Sequence, residues 1–457
     1  MVGVLAGRYV YEHVAGMLAR PLAIILISGL AVRVIVIPLF SFDYDLSFWV
    51  ATGQGLEGGR DIYETSYYWY TPIWGYIISI TTGFGNLLGM SIPGEMFSEL
   101  VSSSEAATIM NTTITTIAAN ILYKTPLLII DLITAWVLHG IVKHMTGNDK
   151  KAALAFGLWF LCPLVIWSSS VACMFDSLSA MFALFAFLFL IKGNYILSGS
   201  AFALAVSTKI FPFCMTLIIL AYIISKHRND IQTAIMSVVR FIASGLTILF
   251  AIYLPVILKG SLSRSFEFFY SRSASVSSSS FDLIAMLTDI SYNQIIRFAP
   301  ILMISLILVG LWMYKSNSDE RDRNLIMATV MSFTIMFIWP PTPTYPVVMI
   351  PFLALAITIC ERRDLVWSWI FFSAIMVLAA FSIFHLQLLY TVAAYTDFLD
   401  LGSLLSSISD NSEIFALLET IFRYLEFLPG LSVVLILCSG RRKRILEMHI
   451  REESASG

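Results

Sequence analysis

Of 457 residues, 58% are hydrophobic and only 13% are charged, about half the charged share of a soluble domain. The net charge is −2, the basic residues fall in short clusters, and the five cysteines and six histidines lie scattered without metal-ligand spacing. Nucleic acid, a zinc centre and a disulfide framework are all disfavoured as organising features. Apolar blocks recur along the whole length, and a β-barrel would instead show short alternating segments, so the expected fold is an all-α polytopic membrane protein.

In chain order, the first 19 residues lack the apolar core of a cleavable signal peptide, and 21–40 reads as the first span. Further spans are expected at 115–142, 152–168, 177–192, 195–208, 211–225, 234–258, 298–314, 324–341, 346–360, 365–388 and 427–440, about twelve in all. Lysines and arginines at 143–151, 192, 226–228, 315–323, 361–364 and 441–444, with Arg8 and Arg20, mark the cytoplasmic side. Both termini then lie inside and the count of spans must be even. A full crossing by "TPIWGYIISITTGFGNLLGM" (71–90) would turn Lys143, Lys150 and Lys151 outward. That segment, rich in glycine and interface aromatics, is therefore expected to be an interfacial or re-entrant helix on the outer face. Long outer segments remain at 42–114, 259–297 and 389–426, the last carrying an amphipathic stretch at 404–428. A sequon at 111–113 also faces outward, close to the second span.

The most polar and aromatic part of the chain, "SFDYDLSFWVATGQGLEGGRDIYETSYYWYTPIWGY", follows directly on the first span. Asp43 and Asp45 stand where that span should emerge at the membrane surface. Position alone leaves them as solvated helix-end residues as readily as a site. Tyr63, Tyr67, Tyr68, Trp69, Tyr70 and Trp74 suit a membrane-interface belt at least as well as stacking on sugar rings.

The string Asp43, Asp45, Trp49, Gly59, Arg60, Tyr63, Tyr68, Tyr70, Thr71, Pro72 resembles the first outer loop of the GT-C glycosyltransferases that use polyprenyl-phosphate sugars. The likeness is greatest to the catalytic subunits of GPI mannosyltransferase I. "YKTPLLIIDL" (123–132), "CPLVIWSSSVACMFDSLSAMFALFAFLFL" and "SGSAFALAVSTKIFPF" (198–213) resemble later segments of that family. Cys162 and Met174 depart from its usual Asn and Gln, and "PPTPTYPVVM" departs from its late outer motif. The likeness covers residues 20 to 215. It implies a single integral membrane domain over 1–457, with a family-like GT-C module at 1–260 and a C-terminal transmembrane module at 261–457. The fold so implied is a GT-C-type bundle with interfacial helices in the first outer loop.

The activity so implied is that of an inverting hexosyltransferase. It would move a sugar, mannose in the nearest likeness, from a dolichyl- or polyprenyl-phosphate carrier to a lipid- or glycan-linked acceptor on the extracytoplasmic face of a plasma or endoplasmic reticulum membrane. Asp45, or Asp43, would be the base that takes the acceptor proton at membrane depth. Lys209, Arg264 and Arg272 fall at the outer face, where a cation would meet the departing phosphate; a hydrated surface lysine and a solvated Ser-rich loop are the plain alternatives. Trp49, Arg60, Tyr63, Tyr68 and Tyr70 are supporting candidates from the motif. Asp176, at the start of a span, suits either support or N-terminal capping. Arg33, Lys124 and Asp131 are charges inside spans; Lys124 and Asp131 share a helix face, and structural pairing among the three is expected. No cofactor is required in this reading, although a divalent metal bridging Asp43, Asp45 and phosphate is conceivable. Expected partners are the donor, the acceptor, membrane lipids and a small membrane subunit. The alternatives are transfer of another sugar, a lipid-linked-sugar flippase or transporter, and a non-catalytic subunit that has retained the fold, against which the intact Asp43 and Asp45 argue. A transporter would place its polar groups near the midplane on repeated, broken helices, and no such repeat is evident.

Overall fold

The computed structural model describes residues 20–64, 68, 70–90, 114–266, 299–338 and 342–439, with a few side chains inside helices excepted. The described residues form helices throughout, with no strand among them. Each expected span coincides with a helical run: α1 (Arg20–Leu39), α4 (Ile117–Thr146), α5 (Asp149–Phe160) with its bent continuation Pro163–Val171, α7 (Asp176–Ile191), α8 (Tyr195–Thr208), α9 (Thr216–Lys226), α10 (Ile231–Leu258), α11 (Ala299–Tyr314), α12 (Arg321–Met336), α13 (Ile350–Thr358), α14 (Leu365–Phe384) and the run Glu413–Ser439. The turn Pro163–Ile166 is counted as α6, while α2 (Asp43–Glu57) and α3 (Pro72–Leu87) lie in the first outer segment.

Four helices are long and apolar enough to cross a bilayer alone, and two bent pairs raise this to six. The others, of 10–17 residues, are shorter than the twenty expected of a span. Two of them gain length from tighter turns that lead into them, Phe211–Met215 before α9 and Tyr345–Met349 before α13, since a 3₁₀ turn rises further per residue. Every residue of α13 is buried, and α7 is nearly so. At the periphery α10 and α11 expose Ile235, Val239, Leu246, Phe250, Ile304 and Leu308, as lipid-facing helices do, because hydrocarbon imposes no penalty on them.

The alternation of helices separates two ends. One end carries the Lys151–Glu361, Lys143–Asp149 and Arg362–Asp364 ion pairs and the Tyr222–Asp322 hydrogen bond, as the basic-loop argument requires. The other gathers residues 39–45, 114–120, 171–176, 208–211, 258–262 and 342–345. There Phe42 N–H donates to Val171 O, Ser41 N–H to Leu388 O, and Thr71 Oγ1 to Thr208 O.

Helix α3 stays at this second end over its whole length. Thr71, capping its start, meets the end of α8; Tyr76 donates to Ile252 near the end of α10; Thr82 bonds Tyr123 and Gly85 abuts Leu122, both in the first turns of α4. It lies across the bundle and does not traverse it, so the interfacial reading of 71–90 holds.

Two expectations need correction. Asp43 and Asp45 do not close the first span: α1 ends at Leu39, and both residues sit in the first turn of the separate helix α2. The stretch 404–428 is not one surface helix. Leu401–Asp410 ends before Ser412–Leu425, and the latter runs on as Glu413–Ser439, because its apolar face continues unbroken into the last span. The sequon at 111–113 lies outside the described residues.

Candidate functional site at the outer end of the bundle

The spine of the site is the strap between Val171 and Asp176. The chain leaves α6 through a five-residue-spaced turn, with Ala172 N–H donating to Trp167 O (2.8 Å) and Met174 N–H to Ser168 O (2.7 Å). Wide turns of this kind recur at functional sites. Cys173 then adopts a φ of 54°, a left-handed conformation that side chains resist. The kink faces the Cys173 carbonyl toward Trp49, whose Nε1 donates to it at 3.1 Å. Asp45 and Lys124 both lie within electrostatic reach of the Cys173 sulfur.

Asp45 is buried on the first turn of α2, where the helix N-terminus favours its negative charge. The side chain of Asp43 lies outside the described set. Lys124 is fully buried, and its Nζ donates to Phe40 O (2.6 Å) and Ile37 O (3.4 Å). It thus closes the carbonyl end of α1, a favourable place for a cation.

Beyond the strap lies Lys209, the residue that ends α8. It is neither hydrated nor on a surface. Its Nζ sits 4.4 Å from the Phe175 ring centroid, 4.8 Å from Tyr70 and 4.9 Å from Tyr345, and 3.5 Å from Asp176 Oδ1. Asp176 is the first residue of α7 and is fully buried, so it stands at a helix start, where its charge is favoured, and pairs with Lys209 at once.

The aromatic residues are mostly core, which overturns the interface-belt expectation for those described. Trp49 touches Tyr68, Tyr70, Trp74 and Phe175 with centroids 5.5–6.3 Å apart, and Trp74 stacks on Phe175 at 5.1 Å. Tyr68 OH donates to Thr71 O and accepts from Gly75 N–H at 2.8 Å, which fixes the entry to α3; Tyr63 OH donates to Tyr70 O at 2.8 Å. Burial pushes both phenols well above their usual range, so they remain neutral donors. Tyr70 alone of these stays partly exposed. Gly53 is required where α2 crosses α3 and α4, since a Cβ there would collide with the Thr82 and Tyr123 hydroxyls. Tyr67 and Trp69 lie outside the described residues.

Arg60 and Arg264 are exposed at the rim. Their neighbours tie the two segments together: Ser261 donates to Asp61, and Lys259 lies 3.8 Å from it. Neither arginine is drawn into the Lys209 cage, and Arg272 lies outside the described residues. Arg33 and Asp131 belong elsewhere. They form a fully buried ion pair at 3.0 Å, Asp131 also accepts from Ser169 Oγ at 2.6 Å, and Arg33 donates to Phe160 O at 2.7 Å. Asp131 is two turns from Lys124, about 10 Å along the helix, so this pair anchors α1 to α4 beneath the site.

Sequence reasoning missed Cys173, Phe175, Tyr123, Asp61 and Tyr345. All five stand inside quoted segments, Tyr345 as an aromatic between prolines in the divergent "TPTYP", but none was singled out. Among the described residues no group of three His, Cys, Asp or Glu side chains is placed to hold a metal ion.

Residues 56–281, just under half the chain, match the family described as GPI transamidase subunit PIG-U. The matched family is thus a transamidase subunit and not GPI mannosyltransferase I. Among solved structures the chain is similar to ArnT from Cupriavidus metallidurans bound to undecaprenyl phosphate, at 13% identity over 90% of this chain and 77% of that one, with a TM-score of 0.42. No curated protein matches.

Proposed function

We propose that the protein is an inverting GT-C-type glycosyltransferase that takes a polyprenyl-phosphate sugar, with mannose the sugar favoured by the first-loop motif, and glycosylates a lipid- or glycan-linked acceptor outside the cytoplasm. The observation that carries this reading is a buried carboxylate, Asp45, and a buried ammonium, Lys209, at the same end of the bundle, both beside the Val171–Asp176 strap. Asp45 accepts the proton of the acceptor hydroxyl as its oxygen attacks the anomeric carbon opposite the phosphate. The C–O bond to phosphate breaks, configuration inverts, and the negative charge growing on the leaving phosphate is met by Lys209. Metal independence is part of the proposal.

The test is transfer of radiolabelled mannose from dolichyl-phosphate-mannose into membrane lipids by wild type, Asp43→Asn and Asp45→Asn at matched expression, with and without chelator. Loss in Asp45→Asn, with chelator indifferent, supports the assignment. Undiminished transfer in both variants overturns it.

The PIG-U match favours a second reading, in which the same end of the bundle binds a glycolipid as the non-catalytic subunit of a membrane complex. In that case native purification yields a larger assembly and Asp45→Asn leaves its activity intact.

A further inference from the structure

Asp176 and Lys209 form a looser pair than their burial leads one to expect. At 3.5 Å the contact is longer than a charge-assisted hydrogen bond of about 2.7–2.9 Å. The Arg33–Asp131 pair, by contrast, closes to 3.0 Å with hydrogen bonds from Ser169 and to Phe160 around it. Three rings surround the Lys209 ammonium and attract it through their π faces. Asp176 stands in the first turn of α7, so the helix N-terminus still favours its charge when the lysine turns away. The cage has a more open side: Tyr70 is partly exposed and Ile210, next to Lys209, is 50% exposed. Its far wall comes from the C-terminal half, where Tyr345 packs against Phe211 with centroids 4.5 Å apart.

We propose that Asp176 is the resident counter-ion of Lys209 in the ligand-free protein, and that the phosphate of a polyprenyl-phosphate ligand displaces it while Tyr345 keeps the ammonium in place. This rests on the reading of the site as a donor site. Asp176 is then a positioning residue that keeps the cage dry and charged until a phosphate arrives. It also promotes release of the spent carrier phosphate by competing for Lys209. A carboxylate so close to the bound phosphate repels it, so removing the charge tightens binding. A carboxylate needed only for folding has the opposite effect when removed.

The experiment is equilibrium binding of tritiated undecaprenyl phosphate to the full-length protein in nanodiscs, with a thermal melt on each variant. Wild type is expected to bind and Lys209→Met to lose at least tenfold in affinity. Asp176→Asn is expected to bind at least about fivefold more tightly, a lower bound set by the repulsion that one charge at close range would exert even in bulk water. In turnover, kcat and KM fall together because release slows. Should Asp176→Asn fail the melt, Tyr345 decides: Phe is expected to preserve affinity and Leu to weaken it by about tenfold, the size of a desolvated cation–π contact. Absence of wild-type binding overturns the donor reading and the exchange with it. Wild-type binding that is unchanged or weakened in a folded Asp176→Asn, or unaffected by Tyr345→Leu when that pair decides, overturns the exchange and leaves the donor reading standing.

Discussion

The two ends of the bundle use charge in opposite ways. At the basic end the pairs are exposed and several are local in sequence, as in Lys143–Asp149 and Arg362–Asp364; each contributes little because water screens it and long side chains lose freedom to hold it. At the aromatic end Asp45, Lys124, Asp176 and Lys209 are all buried, and Lys124 and the Asp176–Lys209 pair meet groups distant in the sequence. Charge at the first end sets orientation. At the second it is carried into a low-dielectric setting, at a cost in free energy that well-packed apolar residues would not incur.

The largest expected break in this contrast is Asp45→Asn, which should lower transfer by roughly two to four orders of magnitude, the range for removing a general base, while leaving the melting temperature near that of wild type. Next is the buried anchor below the site. Asp131→Leu alone should destabilise by about 3–5 kcal/mol, by leaving Arg33 buried without its anion, and the double variant with Arg33→Leu should recover most of this; a thermal melt in detergent of both, with no recovery in the double variant, would show that the pair does more than balance charge. Third, Gly53→Val should displace α2 from Thr82 and Tyr123 and depress transfer by tenfold or more, on the order expected when reacting groups shift by an ångström. Its melt should change less than that of Asp131→Leu, since the α4 and α7 core stays packed.

The smallest effect belongs to the basic end. Lys151 donates a hydrogen bond that holds the Glu361 carboxyl below its usual range. Its contribution is therefore present above the ordinary carboxylate range and lost as pH falls through the lowered folded value. Glu361→Gln should abolish that dependence and leave the neutral-pH melt almost unchanged, which a pH series of melts measures. A large shift at neutral pH would erase the distinction between the ends.

Much of the helical order was legible because a bilayer demands long apolar segments and lysines mark one side of it. The interfacial course of 71–90 was also legible, since orientation and parity left no other. The candidate site was legible only in parts. Asp45 and Trp49 drew notice through the family-like motif and Asp176 and Lys209 through their types and positions, yet the plain reading of Lys209 as a hydrated turn residue was as good on sequence grounds. Its burial depends on Phe175 and Tyr345, which stand far apart in the chain. The aromatics of the first outer segment pointed to the membrane surface. They proved to be packing for α2 and α3, because aromatic composition reports amphipathic preference and not which faces meet.

The sequence by itself determined which segments are helical and apolar and which end gathers the basic loops, because both follow from properties summed along short stretches. Only the tertiary structure decided which charges are partners. Arg33 took Asp131 and left Lys124 to close the end of α1, and Lys209 met Asp176 inside three rings drawn from three distant segments. A buried charge is stabilised only by groups within a few ångströms, and that proximity is created by packing.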